Sequence, residues 1–253
     1  MAAEITRRDF ITTATAGLSV ALLSTELNAA EFLEDDQTPT TFSSAFASHL
    51  EPKPLPFDPT KLNGLSEKLL RSHWENNYGG SVKALNAIKQ RLPAFAEDAN
   101  LPAYIYNDLK REHLLRTGSV TLHDLYFGNL GGNDKADNTL NTYLAAAFGS
   151  AAAWQKEFKR IGAGLSGGSG WVVLGLNLYS GLLENYWQGD HAHAPSATLP
   201  ILVMDMYEHA YQLDFGAGAN AYIQAFFQNI HWQTVSARLE KAIKVRTIWS
   251  SIR

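Results

Sequence analysis

Asp205-Met206-Tyr207-Glu208-His209-Ala210-Tyr211 follows directly on the apolar run Leu199-Pro200-Ile201-Leu202-Val203-Met204. A short, nearly continuous run of hydrophobic residues is the pattern of a buried strand. The carboxylate of Asp205 therefore stands at the end of a buried element, and His209 follows it four residues later. Together they offer two ligands to one metal ion. Alone, Asp-x-x-x-His is a weak signal, because a capping Asp and an ordinary His produce the same spacing.

Working upstream, Gly164, Gly167, Gly168 and Gly170 precede Trp171-Val172-Val173-Leu174-Gly175-Leu176, a second buried-strand pattern. Tyr179-Ser180-Gly181 predicts a hairpin turn, and residues 182–187 a further strand. A polar loop with His191 and His193 leads back to the apolar run. Before the glycines the pattern is helical. Pro52, Pro54, Pro56 and Pro59 mark an extended entry, and Ser66 is placed to cap a helix carrying Leu69, Leu70, His73, Tyr78, Leu85 and Ile88. Gly79-Gly80 inside that helix predicts a bend or a close neighbour. Further helices are expected over about 104–130, ended by Gly131-Gly132-Asn133, and over 140–160. Helical signals resume at Tyr207 and continue to the end, with a break near Gly216-Ala217-Gly218. The fold class is α+β: an N-terminal helical part (a long helix hairpin, residues 52–135), then a mixed α/β domain with a small antiparallel sheet (136–253).

Composition narrows the chemistry. The 253 residues are 45% hydrophobic, enough for one sizeable domain or two that share a core. The net charge is -4 and no basic run occurs, so nucleic acid is not an expected partner. Cysteine is absent, which excludes thiolate catalysis, disulfides, iron–sulfur clusters and zinc–thiolate sites. Any metal must be held by His and carboxylate, a set that suits manganese, iron or zinc.

The N-terminus reads as an address. Thr6-Arg7-Arg8-Asp9-Phe10-Ile11, a modest apolar stretch to Leu23 and then Asn28-Ala29-Ala30 resemble a bacterial twin-arginine signal over residues 1–30. This predicts export to the periplasm, with residues 31–51 as a polar linker and no membrane span in the mature protein, since a span needs about 20 apolar residues.

With these surroundings, the heptapeptide resembles the Asp-x-Trp-Glu-His-Ala-Tyr signature of the iron/manganese superoxide dismutases, with Tyr207 at the Trp position. Leu55-Pro56, Leu62 and His73 resemble that family's entry segment and first ligand helix. His123-Asp124-Leu125-Tyr126-Phe127 resembles its second ligand helix, Gly168-Ser169-Gly170-Trp171 the opening of its sheet, and Asn229-Ile230-His231-Trp232 its terminal helix. The resemblance spans about residues 52–240. It implies one manganese or iron ion per chain on His73, His123, Asp205 and His209, superoxide as substrate, and a homodimer through Glu208 and His209. His113, His191, His193 and His231 show that the ligand assignment rests on family register and not on residue type.

The resemblance fails in the residues around the metal. Ser81 stands where the family has a tyrosine eight residues after the first ligand, Asn77 where it has a histidine, and Gln212 where it has a second tyrosine after the signature. His73, Asn77 and Ser81 share a helix face by spacing, which makes Asn77 and Ser81 candidate catalytic groups. The family's glutamine partner to the solvent on the metal is Ser119 in the iron register. In the manganese register it falls near Gln188, with His191 or His193 as alternatives from the same loop. A loop-derived partner tilts the expectation towards manganese. Two other functions compete: a non-catalytic metal-binding or structural protein on the same fold, and an altered redox enzyme with a widened funnel at Ser81.

Overall fold

The computed structural model describes residues 45–46, 49–132 and 135–252. The signal-like residues 1–30 and most of the linker lie outside them.

After a short 3-10 turn, Pro59–Lys61, helix α1 (Glu67–Ser72) begins at its expected cap. Ser66 Oγ accepts the Leu69 amide at 3.1 Å and donates to Asp214 Oδ1 at 2.7 Å. The helix then widens into a π turn, His73–Tyr78, in which the Gly79 amide bonds Trp74 O five residues back. It tightens again as α2 (Gly79–Glu97). The glycine pair is no close-packing site: a Cβ added at Gly80 would meet nothing within 4 Å, and one at Gly79 would make only ordinary contact with Trp74 O at 3.4 Å. The irregularity lies one turn earlier, at a kind of bulge that often marks functional positions.

α3 (Ala103–Gly128) packs back on α2 to complete the hairpin and runs unbroken through Thr117-Gly118-Ser119. It stops at Gly128, short of the expected Leu130. Asn129 follows and fastens the helix end to the sheet: its Oδ1 accepts the Val203 amide, and its Nδ2 donates to Tyr126 O and Val203 O.

The single helix expected over 140–160 is two, α4 (Asn138–Phe148) and α5 (Ala151–Gly164). Gly149 adopts φ +82°, a left-handed conformation that ends the first. Ser150 then caps the second by accepting the Ala153 amide.

Three antiparallel strands follow, β1 (Trp171–Asn177), β2 (Leu183–Gln188) and β3 (Thr198–Asp205), in the order β2-β1-β3. The register sets Trp171 opposite both Gln188 and Asp205, so the large ring and the carboxylate meet at one end of the sheet. Beyond β3 come a 3-10 turn, Glu208–Ala210, and the helices α6 (Gln212–Phe215), α7 (Ala219–Gln228) and α8 (Trp232–Ser251). The sequence predicted a break before α7 but not the second, at 229–231. There Asn229 spends its side chain on Asn63 and Ala225, and Ile230 bridges Leu130.

The α2–α3 hairpin and the sheet share one core. Leu69, Leu70, Tyr78 and Val82 belong to the same buried cluster as Tyr126, Val172, Val203 and Phe226. Among the described residues no helix is long and apolar enough to cross a membrane.

Candidate metal centre

The four predicted ligand residues come from four separate elements. His73 opens the π turn, His123 lies on α3, Asp205 ends β3 and His209 sits in the 3-10 turn that follows. One side-chain ligand atom from each lies within 4.8 Å of all the others. His73 Nε2, His209 Nε2 and His123 Nε2 stand 3.1, 3.2 and 3.7 Å from Asp205 Oδ2. His73, His123 and Asp205 are buried, whereas the His209 side chain keeps 24% of its exposure and so faces the way in.

Each side chain is aimed by its other atoms. His123 Nδ1 donates to Ser119 O at 2.7 Å, one turn back on α3, which turns its Nε2 towards Asp205. Asp205 Oδ1 accepts the Tyr207 amide at 2.9 Å, leaving Oδ2 for the three imidazoles. Tyr222 donates its hydroxyl to Asp205 O at 2.7 Å and holds the strand end in place.

Both His73 nitrogens and His123 Nε2 are buried without a hydrogen-bond partner. His73 Nε2 is close to the carboxylate but makes no hydrogen bond to it. Leaving such a group unsatisfied costs roughly 1–3 kcal/mol. A cation among three nitrogens and one carboxylate oxygen would satisfy them, and this donor set, free of sulfur, fits manganese, iron or zinc.

The electrostatics favour deprotonated ligands. Burial pulls the His123 pKa down to about 3, and the neighbouring His73 lowers it further. Burial also lowers His73, against the pull of Asp205. For Asp205, burial alone would raise the carboxyl, but His209 and His73 outweigh it and hold it below the usual carboxylate range. His73 and His123 are thus held neutral and the Asp205 carboxylate ionised, as metal binding requires.

A cavity of about 430 Å³ leads to the cluster, lined among others by Asn77, Ser81, Arg116, His191, Tyr207 and His209. Ser81 Oγ is 2.8 Å from Ser119 Oγ, so these two small hydroxyls join α2 to α3 by a buried hydrogen bond. His191 stacks on Tyr207, with ring centroids 4.6 Å apart, and Tyr207 stacks in turn on His209 at 5.2 Å. Trp171 Nε1 donates to His191 Nδ1 at 3.0 Å. An indole N–H can only donate, so His191 Nδ1 is the acceptor and the ring proton sits on Nε2. Burial pushes the His191 pKa down to about 4, so the ring is neutral.

Of the three loop candidates, only His191 lines this cavity. Gln188 lies three residues too early: it is the last residue of β2, paired with Trp171, and its buried Oε1 has no hydrogen-bond partner. His193 is exposed and turned to Asp190, 3.1 Å away. Of the three predicted catalytic residues, Asn77 and Ser81 line the cavity and Gln188 does not. Sequence reasoning passed over Arg116 and took Gly118, within Thr117-Gly118-Ser119, only as a weak point in the helix. The signal for Arg116 was its place seven residues, two helical turns, before His123.

Comparison with known proteins agrees with this architecture. Residues 136–238 match the C-terminal domain of iron/manganese superoxide dismutases. An iron superoxide dismutase of Cupriavidus metallidurans is 50% identical over 194 residues, 77% of this chain and 98% of that protein. One from Aquifex pyrophilus, also named for iron, is 35% identical over 77% of this chain and 93% of its own length. A manganese-named relative from Haloferax volcanii is 31% identical over 78% and 98%. Both metals occur among the relatives and the 50%-identical one is named for iron, so the tilt towards manganese finds no support.

Proposed function

The chain belongs to the iron/manganese superoxide dismutase family, and we propose that it disproportionates superoxide at one iron or manganese ion held by His73, His123, Asp205 and His209. The observation that carries this reading is the convergence of three imidazoles on Asp205 Oδ2, with buried nitrogens left unpartnered. The bound ion supplies the one-electron reduction and oxidation by which two superoxide ions and two protons become dioxygen and hydrogen peroxide.

The residues around the cluster do the rest. His191 offers an Nε2–H donor to the cavity, in the place first assigned to Gln188. Asn77 and Ser81 supply small polar groups where a bulkier gateway would narrow the passage, with Ser119 behind Ser81, and protons arrive there through solvent. Tyr207 stays protonated at neutral pH, since burial and Asp205 raise its pKa to about 12. It serves as a wall between His191 and His209.

Exposed Glu208, beside His209, supports pairing of two copies at this edge, which sedimentation at varied concentration tests. The Arg7-Arg8 segment supports twin-arginine export to the periplasm, which fractionation of cells carrying Arg7→Lys and Arg8→Lys tests.

The central experiment is elemental analysis of the protein exported by its own host, with superoxide consumption measured on the same sample. Iron or manganese near one per chain, with activity well above free metal, is expected. Asp205→Ala should lose both. A fully loaded site without activity overturns the reading.

A further inference from the structure

Among the described residues lining the cavity, Arg116 alone carries a permanent charge. It lies in line with Ser119 and His123 along α3, and of the three only Arg116 reaches solvent. The Arg116 side chain is 36% exposed, Ser119 0% and His123 1%. The guanidinium thus stands at the mouth and His123 at the floor.

Its hydrogen bonding is incomplete. Arg116 Nε is shielded from solvent and has no hydrogen-bond partner. Nη2 is 3.4 Å from Glu112 Oε2, but Glu112 also meets the Arg111 guanidinium, at 3.4 Å. One carboxylate shared between two guanidiniums leaves net positive charge at this turn. Asp190, next in sequence to the cavity-lining His191, is already occupied: its Oδ1 accepts the Ala192 and His193 amides and lies 3.1 Å from His193 Nδ1. The chain as a whole carries -4, so an approaching anion is repelled except where a local cation reverses the field.

We propose that Arg116 makes the mouth of this cavity a binding site for one small monovalent inorganic anion, and that superoxide is drawn through it. The site deepens the superoxide dismutase reading and rests on it for the identity of the natural ligand, though not for the anion binding. Arg116 acts on arrival: its charge raises the local concentration of substrate, and the reacting groups lie further in. Removing it therefore lowers kcat/KM more than kcat, and flattens the dependence of kcat/KM on salt.

Chloride is the probe. Line broadening of the chloride-35 resonance is measured in metal-free and metal-loaded protein, for wild type, Arg116→Gln, Arg116→Lys and Arg111→Gln. Wild type, the lysine variant and Arg111→Gln should broaden the line, and Arg116→Gln should lose most of the excess in both metal states. In the loaded enzyme at low salt, Arg116→Gln should lower kcat/KM about three- to tenfold, within the range of electrostatic steering. Broadening unchanged in Arg116→Gln overturns the proposal. So does an equal loss in Arg111→Gln, which would show only the effect of net charge. Loss of broadening in Arg116→Gln, in a protein that binds metal but consumes no superoxide, would uphold the anion site and overturn the superoxide reading.

Discussion

At residue scale, His191 reaches the cavity because α3 has no side chain where the His191 segment crosses it. A Cβ on Gly118 would lie 1.8 Å from His191 O and 2.8 Å from its carbonyl carbon. These are backbone atoms, so the loop itself would have to move and would carry the imidazole away from Trp171 and Tyr207. Gly118→Ala is therefore expected to lower activity per bound metal by tenfold or more, since about 1 Å of misplacement can cost on the order of a hundredfold. Metal content should stay near that of wild type, because the three nearest atoms that a Cβ at 118 would meet all belong to His191 and none to a ligand residue. Elemental analysis paired with the superoxide assay tests this, and unchanged activity per metal would refute it. In sequence, Gly118 reads only as a weak point in a helix. Its role belongs to a residue 73 positions away, which no local pattern reveals.

At element scale, caps were legible and irregular turns were not. Ser66 before an apolar helical pattern announced α1, and its Oγ accepts the Leu69 amide as expected. Ser66→Ala removes that bond and the link to Asp214, and should destabilise the folded protein by about 1 kcal/mol. A lower urea midpoint with an unchanged slope would bear this out, and no shift would count against it. Gly149-Ser150 carries the same kind of signal, a left-handed stop followed by a cap, which divides α4 from α5 and was overlooked. The π turn at His73–Tyr78 has no such signature. Gln188 failed because the strand keeps its pairing with Trp171 to the last residue, so the loop that reaches inward begins later.

For the whole molecule, the metal site costs stability when it is empty of charge compensation. The His123 pKa falls to about 3 in the folded chain, by burial first and His73 second, against about 6.5 in an unfolded chain. Between these values the unfolded chain binds a proton that the folded one refuses. Stability of the metal-free protein therefore declines as pH falls from about 6.5 towards 3, by up to a few kcal/mol. Below about pH 4 the lowered Asp205 adds to the same trend, since its ionised folded form also resists the proton. Thermal unfolding of the metal-free protein across this range should show a falling Tm, and a flat profile would contradict the assignment.

The amino-acid order by itself determined the helical first part, the small antiparallel sheet and the set of His and Asp residues that converge. The first two follow from periodicity and caps, which are local, and the ligand set from the heptapeptide together with the register of the other motifs shared with the iron/manganese superoxide dismutases. The tertiary structure alone decided that His191 and not Gln188 enters the cavity, that Gly118 admits it, and that Arg116 guards the mouth. Such choices depend on distances between atoms from segments far apart in sequence. A shift of one residue or about 1 Å reverses them while leaving every local pattern intact.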